Sequence, residues 1–168
     1  MFSSFMKLFL LRHSESIQNN DITNDFNRTL SINGNNEANL LANFILRRKL
    51  KFNKVLCSSS IRTIQTLNIL KKNNLSSFEN IFTTDNLYLA SDKRILKLVP
   101  KSNFKSLLIV AHNPGISSLI SILNNSQYQD YPTSTLASFE IDNSKKNLRQ
   151  VTTEFIVRPK DNIIIDDQ

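Results

Sequence analysis

The chain has 168 residues, of which 40% are hydrophobic and 21% charged, with a net charge of +7. That is enough for one domain with a real core, and the balance is ordinary for a soluble globular chain. No apolar run approaches the roughly 20 residues of a membrane helix. Met1 to Lys7 sets no basic stretch before an apolar one, so a signal peptide is not expected. Cys57 is the one cysteine and cannot close an internal disulfide, which favours a cytoplasmic location without a membrane partner. The positive charge suits an anionic ligand. Its densest stretch, Arg47-Arg48-Lys49-Leu50-Lys51, falls where a helix should end, and cations there complement the helix dipole. No RNA-binding aromatic motif or zinc-finger spacing accompanies it, so nucleic acid is not an expected partner.

In chain order, Met6–Arg12 is an apolar run that stops at Arg12-His13 and reads as a buried strand. Residues 14–34 are polar and read as a long loop, with Asn33-Gly34 a turn signal. Glu37, Leu40, Leu41, Phe44, Ile45 and Leu46 recur at helical spacing, predicting a helix over about 35–50. Lys54–Cys57 is a short second strand. Ser58-Ser59-Ser60 is a capping signal. It precedes a helix whose apolar stripe is Ile61, Ile64, Leu67 and Leu70, ending near Asn73-Asn74. Ile81–Thr84 is a third strand, and Asp92–Val99 a short helix stopped by Pro100.

Ser106–Ala111 is apolar throughout, as a central parallel strand should be. Asn113-Pro114-Gly115 leads into a helix over Ile116–Leu123, with proline suited to a helix start. Thr135–Asp142 and Gln150–Arg158 alternate and flank Asn143–Asn147, predicting a β-hairpin. The chain is therefore α/β, three-layered, with a mostly parallel central sheet between helices and a C-terminal hairpin. One domain over residues 1–159 is expected. The tail, 160–168, is expected to fray, although Ile163–Ile165 has the character to pack.

The two histidines, His13 and His112, each follow an apolar strand, and ligands of open α/β sheets bind at the carboxyl ends of strands. Arg12 adjoins His13, and a buried arginine needs an anion. Arg62 lies in the first turn of the second helix, whose free N–H groups also favour an anion. Arginine offers planar forked donors that match phosphoryl oxygens, so phosphate is the natural ligand of such a set. A neutral imidazole nitrogen can attack phosphorus and carry the phosphoryl group. The arginines and the second imidazole would stabilise the equatorial oxygens. No metal is called for, because two histidines without clustered carboxylates make a poor metal site.

Five blocks of the sequence resemble the histidine phosphatase superfamily, and within it the small SixA-type phosphohistidine phosphatases. They are Leu11-Arg12-His13, Arg28-Thr-Leu-Ser-Ile-Asn-Gly34, Ser58-Ser-Ser-Ile-Arg62-Thr-Ile-Gln65-Thr66, Val110-Ala-His112-Asn-Pro-Gly115 and Pro132-Thr133-Ser-Thr-Leu-Ala137. The resemblance implies a phosphoglycerate mutase-like fold, with His13 as nucleophile and Arg12, Arg62 and His112 holding the phosphoryl group. It places Asn19 where related branches have a phosphate-contacting asparagine. It also implies no cofactor, and as partners phosphate and a histidine-phosphorylated protein such as a phosphotransfer domain of a phosphorelay.

The chain departs from the family pattern in four places. Ser14 replaces the usual glycine, and its hydroxyl is a further candidate for contacting phosphate. Proline is missing after Arg28 and in Ser58-Ser59-Ser60. Larger relatives carry a carboxylate after the third strand, whereas Leu87–Asp92 offers no clear match, a lack that SixA-type members share. Imidazole is a better leaving group than an alkoxide and needs less acid assistance, with Glu15 and Asp92 the remaining acid candidates. Cys57-Ser-Ser-Ser-Ile-Arg62 is one residue short of the Cys-x5-Arg loop of cysteine phosphatases and lacks glycine, so Cys57 reads as a buried apolar residue. Two other functions fit the same residues: hydrolysis of small phosphoesters, and binding of phosphate or phosphoprotein without catalysis.

Overall fold

The computed structural model describes residues 5–18, 22–72, 74–99, 105–142, 151–161 and 163–165. The strand Phe5–Arg12 (β1) lies near the middle of a seven-stranded sheet. Its side chains are apolar on both faces because both faces are covered. Met6, Leu8 and Leu10 enter one hydrophobic core, while Phe9 and Leu11 enter the other. The remaining strands are Lys54–Ser58 (β2), Ile81–Thr84 (β3), Ser106–Ala111 (β4), Leu136–Asp142 (β5), Val151–Arg158 (β6) and Ile163–Ile165 (β7). They lie in the order β3-β2-β4-β1-β5-β6-β7. The first four run parallel, and β5, β6 and β7 join β1 through antiparallel pairs.

The helices Ile32–Arg47 (α1) and Ile61–Lys72 (α2) cover one face. They contribute Leu41, Phe44, Ile45, Leu67 and Leu70 to the core that holds Phe9 and Leu11. Asp92–Leu98 (α3) and Gly115–Leu123 (α4) cover the other with Ile95, Ile116, Leu119 and Ile120. Neighbouring strands β1 and β4 thus send their following helices to opposite faces. That divergence opens a crevice at their carboxyl ends, the usual ligand position in such sheets.

Several expectations shift. α1 begins at Ile32, so Asn33 and Gly34 are helical rather than a turn. The start is set by Ser31, whose hydroxyl accepts from the Gly34 N–H at 3.0 Å. Of the expected stripe, Glu37, Leu41, Phe44 and Ile45 are buried, whereas Leu40 and Leu46 are exposed and Ala38 and Ala42 are buried in addition. On α2 the buried face begins with polar residues, Arg62, Thr63 and Thr66, because that end of the helix borders the crevice. The polar stretch before α1 is partly ordered as a 3₁₀ segment, Ile22–Asn27.

The sheet also continues beyond residue 159: Ile163–Ile165 pairs with β6 where the chain was expected to fray. Lys160 reaches the buried carboxylate of Glu37 at 3.3 Å, which gives this segment an anchor. Pro100 and the hairpin tip, Asn143–Asn147, lie outside the described residues. Among the described residues no helix is long and apolar enough to cross a membrane.

Gly34 is required for close approach. A Cβ there would sit 1.8 Å from the Glu15 carbonyl oxygen, which belongs to the loop after β1. Neither backbone has a flexible end that can yield. Gly34→Ala is therefore expected to destabilise the protein by about 1–3 kcal/mol, as overpacking does. Urea unfolding checks this, and a midpoint equal to that of the unaltered protein would contradict the packing described.

Candidate active site

The crevice is a cavity of about 340 Å³ whose lining includes Arg12, His13, Asp25, Arg28, Arg62 and His112. β1 and β4 pair in parallel up to Arg12 and Ala111, so the next residues, His13 and His112, emerge side by side. The His13 N–H still bonds the Ala111 carbonyl at 3.2 Å. Their rings lie 5.1 Å apart, centroid to centroid. Residues 12 and 13 reach one cavity because the strand ends at Arg12 and the chain turns there. Otherwise adjacent side chains would face opposite ways.

Arg62 ties the two imidazoles together. Its side chain is only 1% exposed. Nε donates to His13 Nε2 at 3.2 Å, and Nη2 donates to His112 Nδ1 at 3.2 Å. These contacts assign the tautomers, since a guanidinium can only donate. His13 carries its proton on Nδ1, held by the Ser14 carbonyl at 2.7 Å, and leaves the Nε2 lone pair toward Arg62. His112 carries its proton on Nε2 and donates to the Ser58 hydroxyl at 2.8 Å.

Burial first, then the charges of Arg62 and Arg12, lower the His13 pKa to about 3 against the opposing effect of the Ser14 carbonyl. Burial, then His13 and Arg62, lower that of His112 to about 2. Both rings are neutral at pH 7, and a neutral imidazole is the nucleophilic form.

Arg12 donates through Nη1 to the Tyr131 carbonyl at 2.5 Å and lies 3.6 Å from Asp130. Its Nε is buried and has no hydrogen-bond acceptor among the described residues. A buried donor in that condition is costly unless a ligand satisfies it. Ser14 is placed differently from the expectation. Its hydroxyl pairs with that of Ser134 at 2.6 Å, fully buried, and its N–H bonds Thr66 Oγ1 at 3.0 Å. Ser14 thus braces the loop and does not line the cavity. Asn19 lies outside the described residues.

Of the two acid candidates, Glu15 lines the cavity and accepts from the Ser31 hydroxyl at 2.6 Å. Asp92 starts α3 and does not line it. Cys57 is fully buried in the core, and burial pushes its thiol up to about 12. It is a packing residue, as expected. Among the described residues, no group of three or more His, Cys, Asp or Glu side chains is arranged to hold a metal.

Three cavity or border residues escaped the sequence reading: Asp25, Arg28 and Tyr88. Asp25 Oδ2 accepts from Arg62 Nη2 at 3.0 Å and from the Tyr88 hydroxyl at 2.6 Å. Oδ1 accepts from Arg28 Nε at 2.9 Å and is ion-paired with Arg28 Nη2 at 2.9 Å. Burial raises the Asp25 pKa, but the Tyr88 hydrogen bond and the Arg62 charge outweigh it, and the carboxyl falls to about 2. Tyr88 also sets its ring edge-on to His112 at 5.5 Å and lies 5.9 Å from the Arg62 guanidinium carbon. Asp25 sits in a polar, aperiodic stretch, so no spacing marks it. Arg28 had a signal, as the first residue of a block with a family counterpart.

Behind the site stands Glu37 of α1, a carboxylate buried to 1% exposure. Oε2 accepts from the Glu15 N–H at 3.1 Å and the Thr133 hydroxyl at 2.9 Å. Oε1 pairs with Arg158 at 2.9 Å. One carboxylate thus fastens the loop after β1, the loop before β5 and the end of β6.

A sequence model of the histidine phosphatase superfamily (branch 1) matches residues 8–87. Over that stretch, which carries Arg12, His13 and Arg62, the chain resembles this superfamily. It is 28% identical over 145 residues to the phosphohistidine phosphatase SixA of Escherichia coli K12, covering 83% of this chain and 88% of that protein. A solved structure of the protein histidine phosphatase SixA complexed with tungstate superposes with a TM-score of 0.76 at 25% identity. The match covers 93% of this chain and 99% of that one. Phosphoglycerate mutase from Bacillus anthracis shares the fold, with a TM-score of 0.68 at 14% identity over 89% of this chain and 92% of that one.

The buried imidazoles imply a pH dependence whose sign is set by their lowered pKa values. On unfolding each regains a value near 6.5. Between about pH 6.5 and pH 3 the unfolded chain therefore binds up to two more protons than the folded one. The two histidines should make stability fall on acidification below pH 6.5, by at most about 2.7 kcal/mol per pH unit. Above pH 7 the histidines should contribute no slope. NMR of the ligand-free protein should show neither ring titrating between pH 6 and 8, and a midpoint in that window would overturn the assignment of neutral rings.

Proposed function

We propose that this chain is a phosphohistidine phosphatase that acts on a histidine-phosphorylated protein through a covalent intermediate on His13. The observation that carries the reading is the His13 ring itself. Its proton is held on Nδ1 by a backbone carbonyl, so Nε2 is unprotonated, desolvated and set against a guanidinium. Such a ring is prepared to attack phosphorus without prior deprotonation.

In the first step the phosphoryl oxygens bind Arg62 and the unsatisfied Nε of Arg12, with His112 alongside. Both arginines bring donors to the equatorial oxygens, where charge gathers in the transition state. The His13 Nε2 lone pair forms a bond to phosphorus as the bond to the leaving nitrogen breaks, and the leaving group keeps that electron pair. In the second step water attacks phosphorus opposite His13, the Nε2–P bond breaks, and inorganic phosphate departs. Protein side chains and water suffice for both steps. A SixA structure complexed with tungstate supports an oxyanion as the ligand of this crevice.

A protein-borne substrate is supported by the rim. Leu89, which lines the cavity, is 52% exposed, and Ile17, between the lining residues Ser16 and Gln18, is 53% exposed, apolar side chains that a protein partner would cover. The phosphoryl donor that fits is a phosphotransfer domain, and the cytoplasm is the compartment where such a relay partner would be met. Glu15 favours a second reading, hydrolysis of small phosphoesters, since a carboxyl group lining the cavity can serve an alkoxide leaving group.

Rapid-quench reaction with a ³²P-labelled histidine phosphoprotein should trap acid-labile, base-stable phosphate on His13. His13→Ala should lose turnover by at least about a thousandfold, as removal of a covalent nucleophile does, whereas Cys57→Ser should retain it. Turnover without labelled enzyme would exclude the covalent route. Assayed side by side, phosphoprotein should be preferred over sugar phosphates and nucleotides, and the opposite order would select the second reading.

A further inference from the structure

The phosphate-facing donors of Arg62 are already engaged. Nη1 donates to the Asp25 carbonyl at 2.6 Å and Nη2 to the Asp25 carboxylate at 3.0 Å. Arg28 and Tyr88 supply the remaining donors to that carboxylate. A carboxylate of the protein thus holds donors of Arg62 within the cavity that both residues line. The segment that carries Asp25 has a break in its 3₁₀ geometry at the preceding residue, Asn24, with φ −122° and ψ 21°. Beyond holding cations, this carboxylate has a consequence for which phosphoryl compounds the site accepts.

We propose that Asp25 is a specificity-determining residue, whose carboxylate competes with phosphomonoester dianions for Arg62 and Arg28 and favours an N-phosphorylated imidazole. This deepens the reading above and rests on Arg62 being the phosphoryl-binding cation. The basis is charge. A phosphomonoester carries close to two negative charges at pH 7. A phosphoimidazole protonated on its other ring nitrogen carries the same phosphoryl group on a cationic ring, so its net charge is minus one. An adjacent carboxylate repels the first more than the second, and partial burial leaves that difference less screened. Asp25, once released from Arg62, can also accept the hydrogen bond of that ring N–H.

The transfer then balances. The leaving ring brings its own proton on the distal nitrogen. It takes the electron pair of the breaking P–N bond and departs as neutral imidazole, with no proton donated by the enzyme. The accepting ring is the counterpart. His13 becomes phosphorylated on Nε2 while its Nδ1–H stays on the Ser14 carbonyl. Acceptor and donor rings thus differ only in what holds the distal N–H, a carbonyl on one side and Asp25 on the other. A site arranged in this way needs no general acid, in keeping with the lack of a clear match in Leu87–Asp92 to the carboxylate of larger relatives.

The test compares the full-length protein with Asp25→Asn and Tyr88→Phe, using phosphoimidazole and 4-nitrophenyl phosphate as substrates. Inorganic phosphate and tungstate binding are read by calorimetry. Asp25→Asn should bind phosphate about fivefold more tightly, the effect of removing one partly exposed like charge. Its kcat/KM should fall about tenfold on phosphoimidazole and hold or rise on 4-nitrophenyl phosphate, so that the preference narrows.

Tyr88→Phe keeps the ring against His112 and removes only a hydrogen bond to Asp25, so phosphate binding should tighten in the same direction by less. Equal losses on both substrates, or phosphate affinity unchanged or weakened in both variants, would overturn the proposal. Arg62→Ala separates the two levels. Loss of phosphate binding there keeps the site reading whatever Asp25 does, and retained binding would remove the site reading and this inference together.

Discussion

The interaction on which the site depends is the hydrogen-bonded fork of Arg62. A guanidinium carries five donors and cannot shed its charge, so burying it to 1% exposure demands acceptors on every side. The protein supplies His13 Nε2, His112 Nδ1 and both oxygen types of Asp25. Each partner is conditioned in return. The imidazoles are kept neutral by burial beside a fixed cation, and their tautomers follow from a donor that cannot accept. The carboxylate is kept ionised by the same cation. Protonation states that catalysis needs are thus set by placing one permanent charge in a desolvated crevice.

That crevice must be held open, and a second buried charge does this from behind. Glu37 has no place in the cavity itself, yet its two oxygens bind the loop after β1, the loop before β5 and the end of β6. A lone buried carboxylate is unfavourable, and pairing it with Arg158 and Lys160 removes most of that cost. Gly34 works on the same joint by letting α1 approach the Glu15 carbonyl. The loop carrying His13 is therefore fixed by contacts from α1, from α2 through Thr66, and from the segment before β5 through Ser134. A side chain on a loop so braced needs little ordering when a ligand arrives.

Much of the frame was legible in the chain because period and apolarity report burial directly. Two strands apolar on both faces, Met6–Arg12 and Ser106–Ala111, had to be central, and each ended in a histidine. Those endings, with Arg12 and Arg62, located the site. Less legible were features decided by a single contact. Gly34 looked like a turn, because glycine serves turns and close helix packing alike. Leu40 and Leu46 fit a helical stripe, but the actual angle at which α1 meets the sheet buries Leu41 and Phe44 and leaves them outside. The Ser14 hydroxyl looked available beside a phosphate site, and only the position of Ser134 shows it to be occupied.

Sequence by itself determined the α/β class, the central pair of strands and the cationic, histidine-bearing edge. These follow from local composition and from the rule that strand ends gather ligand groups. Tertiary structure alone decided which nitrogen of His13 carries its proton, that Arg62 joins both rings, and that Asp25 accepts from Arg62 with Tyr88 behind it. The physical reason is separation along the chain. Asp25 is 37 residues from Arg62 and 63 from Tyr88. No periodicity links such positions, and a polar loop residue acquires a role only when the fold brings a buried, unsatisfied charge within hydrogen-bond reach.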